Sequence, residues 1–346
     1  MTTETETVRL VGPQASAHIT LWSEELRRRG WDVRMVGLST ANTPVSRRRL
    51  LPCVLTEWLH RRPMVSIVHS LGTHGLLGAL LPSARRTVVV PWGSEVEAAT
   101  RSAARRRIAS FVLGRADLAL MTSHDMATTV ARSWPNAKVA TEVRSWGVAE
   151  SSLAERSDEV RAAVRARLGL AEEHLLVLAP RGLGAVYRHE EVRHAFTAAH
   201  AARPELRLIE IDTTVGHGGV ARIHRTDEAL TVPRQPHDDL LELFAAADAV
   251  ISVPRADQRS TTVLEAIASG APVLLADLPT YRELADDGAS VTLLAEPLVE
   301  SLTDALRSLD KVGIRVGANR EWARMREDRR ALFDEIVHLC TGAIRP

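Results

Sequence analysis

Cysteine is scarce. Cys53 and Cys340 are the only two in 346 residues and lie far apart in sequence, too few for a disulfide framework or a four-cysteine zinc site. Long apolar runs are missing as well. The best, Gly75 to Leu81, falls far short of the roughly 18–20 residues a spanning helix needs. Lysine is almost absent: only Lys138 and Lys311 occur among 44 cations, a bias that fits GC-rich coding better than chemistry. The opening MTTETETV is acidic and polar, unlike a secretory leader, so the expected location is the cytoplasm. At 45% hydrophobic, 25% charged and 4% aromatic, the chain is neither disordered, collagen-like nor coiled-coil. At about 100–200 residues per domain, its length suggests two domains or three. The net charge of +1 conceals an asymmetry. Residues 1–150 carry 20 Lys and Arg against 12 Asp and Glu, and the rest carry 24 against 31. Such halves suit two facing domains, or a basic face turned to an anionic partner.

Short apolar strands alternate with amphipathic helices. Val8 to Gly12 reads as a buried strand and Ser16 to Gly30 as a helix, with Ile19, Trp22 and Leu26 on one face and Gly30 as its C-cap. Further strands are expected at Val33–Val36, Val65–His69, Thr87–Val90, Leu118–Thr122 and Val139–Glu142, with helices at Leu50–His60 and Arg101–Leu113. A polar linker, Glu150 to Asp158, and a helix, Glu159 to Leu168, follow. The alternation then restarts at Leu175–Ala179 and runs through Arg207–Ile211, Ala249–Val253 and Val273–Ala276. The helices of this half are Glu190–Ala201, Asp238–Ala246 (capped by His237 or Asp238), Thr262–Ala268, Leu298–Leu309 and Asn319–Leu339. The fold class is α/β, with two doubly wound, Rossmann-like parallel sheets. Expected boundaries are 1–150, 151–325 and a closing helix at 326–346. Ligands of such sheets bind beyond the carboxyl ends of the strands, so the residues that follow each strand are the ones to weigh.

The segment from Asp248 to Leu274 is the most informative. A strand leads into a polar loop with Asp257, then Ser260, Thr261 and Thr262 open a helix, and Gly270-Ala271-Pro272-Val273 turns into the next strand. Unsatisfied N–H groups and the helix dipole make such a start a diphosphate site. Glu265 lies three residues after Thr262, the spacing of a capping box, so it either caps the helix or faces a ligand. Arg181 follows the strand Leu175–Ala179 beside Gly182. Its guanidinium never deprotonates and can grip two oxygens, which suits a diphosphate. Arg188 is either a second phosphate cation or a solvated loop residue.

These residues resemble the retaining GT-B glycosyltransferases of family 4. The likeness rests on Asp257, seven residues, Glu265-Ala266 and the Gly-x-Pro-Val turn, together with Arg181 after the strand. It implies two domains facing across a cleft, the first for the acceptor and the second for the nucleotide-sugar. By the resemblance, Glu265 holds the ribose, Asp257 contacts the sugar hydroxyls, and Arg181 with the Ser260–Thr262 amides faces the diphosphate. The family usually has Glu at Asp257, Phe-Gly at Gln258-Arg259 and Lys at Val186. In the first half, Gly12, Gln14 and His18 match the acceptor-side loop loosely. Trp92-Gly93-Ser94-Glu95 stands where a His-Gly is common, and Trp146-Gly147-Val148 ends that half. The implied reaction is retaining transfer by same-face attack, with the leaving phosphate taking the acceptor proton. It needs no metal or cofactor; the nucleotide-sugar is a co-substrate.

The expected partners are therefore that donor and a small-molecule or glycan acceptor, its nucleophile a hydroxyl ahead of a thiol. Nucleic acid is not expected, and the chain is read as a monomer or homodimer. Asp238-Asp239 reads as a helix start, and the histidines lack a metal-binding framework. His18, His69 and His124 lie near strand ends and either touch the cleft or, as a lone histidine more often does, serve as polar loop or cap residues. Gly216–Gly219 reads as a surface turn. Arg47–Arg49 and Arg105–Arg107 are solvated helix faces or a weak peripheral contact with anionic lipid. A sugar-nucleotide epimerase and a catalytically silent GT-B subunit are the competing readings.

Overall fold

The computed structural model describes residues 7–14, 16–38, 47–60, 62–153, 157–212, 224–226, 228–309 and 316–342. The chain divides into two compact units, 1–145 with 331–346, and 146–330. The unit boundary therefore lies between Ser145 and Trp146, a few residues before the linker read from the sequence.

The first unit holds β1 (Thr7–Val11), α1 (Ala17–Arg28), β2 (Asp32–Val36), α2 (Leu50–Trp58), β3 (Val65–His69), α3 (Thr73–Leu80), β4 (Arg86–Val90), α4 (Gly93–Thr100), α5 (Ala103–Leu113), β5 (Leu118–Met121), α6 (His124–Ser133) and β6 (Ala140–Val143). Its six strands are ordered β2-β1-β3-β4-β5-β6, all parallel. The chain order reverses between β1 and β3, so Gly12 and the residues after His69 meet at the switch point. Ser16 caps α1 by accepting from the His18 N–H. Arg29, not Gly30, is the C-cap. Gly30 follows at φ +85°, a left-handed turn that suits glycine.

The loops after β1 and β2 touch. A Cβ on Gly37 would stand 2.2 Å from the Gly12 carbonyl oxygen, which is backbone and cannot step aside. Gly37→Ala is therefore expected to cost about 1–3 kcal/mol of stability, the usual scale of overpacking, read as a lower chemical-denaturation midpoint.

The second unit holds α7 (Asp158–Leu168), β7 (Leu175–Ala179), α8 (His189–His200), β8 (Leu206–Asp212), β9 (His224–Arg225), β10 (Ala229–Pro233), α9 (His237–Ala246), β11 (Ala249–Ser252), α10 (Thr261–Ala268), β12 (Val273–Ala276), α11 (Pro279–Asp286), β13 (Thr292–Leu294), α12 (Leu298–Arg307) and α13 (Val316–Arg326). The sheet order is β13-β12-β11-β7-β8-β10-β9. It is parallel except at its edge, where β9 runs antiparallel to β10. Its switch point lies between β7 and β11. Apolar clusters line both faces of this sheet, one led by Leu178, Phe244, Ile267 and Tyr281, the other by Val177, Phe196, Ile251 and Leu302.

The long closing helix expected at Asn319–Leu339 is two helices, α13 and α14 (Arg329–Thr341). The chain breaks at Glu327 and Asp328, where the Val148 N–H donates to the Glu327 carbonyl at 2.8 Å and the Arg329 N–H to the Val148 carbonyl at 3.2 Å. After the break α14 joins the first unit. Phe333 packs edge-on against Trp22 of α1 at 5.2 Å, and Arg29 pairs with Asp334 at 2.7 Å. The Gly216–Gly219 turn lies outside the described residues.

Candidate active site

The switch point of the second unit gathers the strongest candidates. β7 delivers Arg181 through a turn in which Gly182 takes φ +86°, a conformation that glycine adopts without strain. β11 delivers Asp257 and, beyond it, Ser260, the N-cap of α10. Arg181 donates to Asp257 Oδ2 at 2.7 Å and to Ser260 Oγ, and its guanidinium carbon lies 5.0 Å from the centre of the Tyr187 ring. Asp257 is held from two further sides. It accepts from the Tyr281 hydroxyl at 2.6 Å and from the Gln258 N–H at 2.9 Å. Burial opposes the Arg181 charge, but Asp257, Tyr281 and Tyr187 together outweigh it and the pKa rises above its ordinary value. Burial, then Asp257, drives the Tyr281 hydroxyl well above its ordinary range, so it stays a donor.

No side chain caps the start of α10, and its first turn carries no acid. Positive partial charge there is left for an anion. The capping-box alternative for Glu265 does not hold. With Ser260 as N-cap, Glu265 sits in the second turn, where it cannot reach the cap. Its carboxylate is buried and accepts from His237 Nε2 at 2.8 Å. His237 opens α9, whose N-cap is Pro236 rather than His237 or Asp238. The bond to Glu265 raises the His237 pKa, against burial. The ion pair thus stabilises fully below the free imidazole value of 6.5 and is lost as pH rises through the higher folded value.

Arg188 is not a solvated cation. It sits at φ +57°, and its side chain is buried in a fork of two carboxylates. The guanidinium bonds Glu191 at 2.7 and 2.8 Å and Glu296 at 2.5 and 3.1 Å. These hydrogen bonds carry its pKa above the ordinary value. A diphosphate would have to compete with both carboxylates. Val186, where the resemblance expects Lys, contributes its backbone: its carbonyl accepts from the Arg255 N–H at 2.9 Å.

The first unit builds a second cluster at its own switch point. A Cβ on Gly12 would meet Ile19 Cδ1 at 2.3 Å and His69 Cβ at 3.3 Å, so the loop after β1 lies against β3. The Gln14 amide donates to the Met35 carbonyl at 3.4 Å. The Trp92 indole N–H donates to His69 Nδ1 at 3.3 Å. His18 stands edge-on to Trp92 at 5.4 Å, and Trp22 edge-on to His69 at 4.9 Å. Burial first, then His18, lowers the His69 pKa to about 3, so the ring is neutral. Gly93 begins α4, and Ser94 is exposed on its first turn. Glu95 turns back, its Oε1 accepting from the backbone N–H of Trp92 and of Leu71, each at 2.8 Å. Beside it Ser70 holds φ +104°, strained for a non-glycine residue.

Burial pushes Glu95 up to about 7 from 4.5, against hydrogen bonds from Trp92, Leu71 and Ser70. Its raised pKa adds stability that is complete below about 4.5 and is lost as pH rises through about 7. Glu95→Gln keeps an acceptor oxygen without the charge. Melting temperature measured against pH should therefore flatten over that interval in the variant. An unchanged slope would remove Glu95 as its source.

Tyr281, Tyr187 and Ser70 join the sites without having been singled out from sequence, and His237, read there only as a candidate helix cap, joins them as the partner of Glu265. His69, discounted as a lone histidine, is the centre of the aromatic cluster. Tyr281 carried a usable signal: it lies just inside the helix that follows β12, at the carboxyl edge of the sheet. Among the described residues, no group of three or more His, Cys, Asp or Glu is placed to hold a metal ion, and no helix is long and apolar enough to cross a membrane.

With this geometry, the two doubly wound units have the GT-B architecture. Residues 221–314, which include Asp257, Ser260 and Glu265, match the family model of glycosyl transferases group 1. Among solved structures, the chain is similar to sucrose-phosphate synthase from Thermosynechococcus elongatus, at 16% identity and a TM-score of 0.75 over 96% of this chain and 98% of that one. It is equally similar to Anabaena HepE in complex with UDP and glucose: 16% identity and a TM-score of 0.75, over 98% of this chain and all of that one. WaaG, a glycosyltransferase involved in lipopolysaccharide biosynthesis, aligns at 16% identity with a TM-score of 0.71, over 97% of this chain and 100% of that one. No curated protein matches the sequence.

Proposed function

We propose that this protein is a glycosyltransferase that moves a sugar from a nucleotide-diphosphate sugar to an acceptor hydroxyl with retention of configuration. The observation that carries the reading is the joining of Arg181, Asp257 and Ser260 at the β7/β11 switch point, beside an uncapped helix start and the buried Glu265. HepE, of the same fold, is solved with UDP and with UDP-glucose, which favours a uridine donor as the first to try.

In this reading, the bond between the sugar's anomeric carbon and the diphosphate oxygen breaks. The acceptor oxygen bonds that carbon from the same face, and its proton passes to the leaving phosphate. Arg181 and the N–H groups that open α10 stabilise the charge growing on the diphosphate. Asp257, oriented by Tyr281 and Arg181, positions the sugar, and Glu265 holds the ribose. Arginine supplies the positive charge, so transfer is expected to persist in EDTA. Trp92 has an apolar face and one N–H donor and cannot take a proton. In this reading the leaving phosphate takes the proton.

The test is to incubate the pure protein with UDP-, GDP-, dTDP- and ADP-sugars and a panel of alcohol and thiol acceptors, following free nucleoside diphosphate and the anomeric configuration of the product. A product of inverted configuration would refute the mechanism. A silent GT-B subunit is the second reading, favoured by one observation: Arg188, the nearest candidate to replace the lysine missing at Val186, is engaged by Glu191 and Glu296.

A further inference from the structure

The helix α2 is apolar on both sides. Its inner stripe, Leu50, Cys53 and Val54, packs on a cluster of Val11, Val36, Leu38, Val68, Leu77 and Leu81. On that side Glu57 is buried and pairs with Arg34 at 3.0 Å and Arg9 at 3.7 Å. This fixes the rotation of the helix. The outer stripe is then Leu51, Leu55, Trp58 and Leu59, at the spacing i, i+4, i+7, i+8, and these are 66, 59, 61 and 88% exposed. Four large apolar side chains on one helix face are a patch rather than scatter, and such patches mark contact surfaces.

The charges around the stripe say what it contacts. Segment 47–62 contains five arginines and a single carboxylate, Glu57, and that carboxylate faces inward. Arg48 and Arg49 are exposed at one end of the stripe, His60 and Arg62 at the other. A second copy of the chain packed antiparallel on this face would set arginine against arginine. An anionic bilayer instead accepts every feature. Leucines enter the acyl boundary, tryptophan settles at the headgroup level, and guanidinium groups grip phosphates.

We propose that the outer face of α2 is a peripheral docking surface for membranes rich in anionic phospholipid. The surface lies in the interface rather than across the bilayer. It does not rest on the proposed sugar transfer.

Vesicle flotation tests this, using phosphatidylcholine alone and phosphatidylcholine enriched in phosphatidylglycerol. The wild-type protein should float only with the anionic vesicles and be released by high salt. L55Q/W58Q/L59Q should abolish flotation while its melting temperature stays equal or rises, because these side chains are exposed. R48Q/R49Q should weaken binding by roughly fivefold per arginine removed. The proposal is overturned if the folded wild-type protein floats with neither vesicle, or equally with both. It is also overturned if the wild-type protein is a dimer that floats with neither vesicle and the triple variant is a monomer in sedimentation, since the face would then belong to a second copy.

Discussion

Arg181→Ala is expected to lower turnover about a hundredfold or more, by analogy with the loss of one charge-stabilising donor in other enzymes. The loss should fall on kcat more than on KM, because in the proposed transfer the charge facing Arg181 grows as the donor bond breaks. Asp257 keeps Tyr281 and Gln258 as partners, so the loop should stay folded. Arg181→Lys keeps the charge but cannot reproduce the planar fork, and should recover only part of the rate. Steady-state kinetics with matched melting curves separates these effects. Turnover equal to wild type would remove Arg181 from the chemistry. Arg188→Ala is the contrast in the same assay. Its hydrogen bonds run to Glu191 and Glu296, so stability should fall while turnover per folded molecule changes by only a few-fold.

Glu265→Ala should weaken nucleoside diphosphate binding severely. A carboxylate that accepts hydrogen bonds from a ribose loses about 1.5–3 kcal/mol for each bond, which is roughly 10- to 100-fold in Kd for one bond and more for two. The fold should survive, because alanine suits a helix interior and the partner left behind, His237, is half exposed. Glu265→Gln should retain part of the affinity and bring the His237 pKa back down toward its ordinary value, which nuclear magnetic resonance of the imidazole would follow. Unchanged calorimetric affinity in a folded Glu265→Ala variant would reduce this residue to a partner of His237.

The alternation of strands and helices was legible because apolar runs such as Leu175–Ala179 and Val65–His69 are short, buried on both faces and separated by amphipathic segments. α3 was harder to see. Thr73–Leu80 contains two glycines, poor helix formers, but a Cβ on Gly78 would stand 2.6 Å from the Val68 methyls, so close packing on β3 selects glycine there. The break between α13 and α14 has no proline or glycine to announce it. It exists because Val148, far away in sequence, takes the backbone groups of Glu327 and Arg329.

The site divides in the same way. Asp257, Ser260, Glu265 and Arg181 were marked by local spacing and by their positions after strands. The bonds that orient them come from 24 to 79 residues away, as with Tyr281 on Asp257, His237 on Glu265 and Ser260 on Arg181. Arg188 shows the cost of that gap. Its partner Glu296 is 108 residues on, and local sequence could not distinguish a phosphate cation from a locked ion pair.

Thermal unfolding with UDP, GDP, dTDP and ADP in separate titrations tests nucleotide binding at the Arg181–Glu265 site without acceptor or sugar. At about 100 times its Kd, a ligand that binds only the native protein adds about 2.7 kcal/mol, visible as a clear rise in melting temperature. At least one nucleoside diphosphate should give this rise, and Glu265→Ala and Arg181→Ala should each diminish it. No rise with any of the four at millimolar concentration, or a rise that survives both substitutions, would mean that this site does not bind a nucleoside diphosphate.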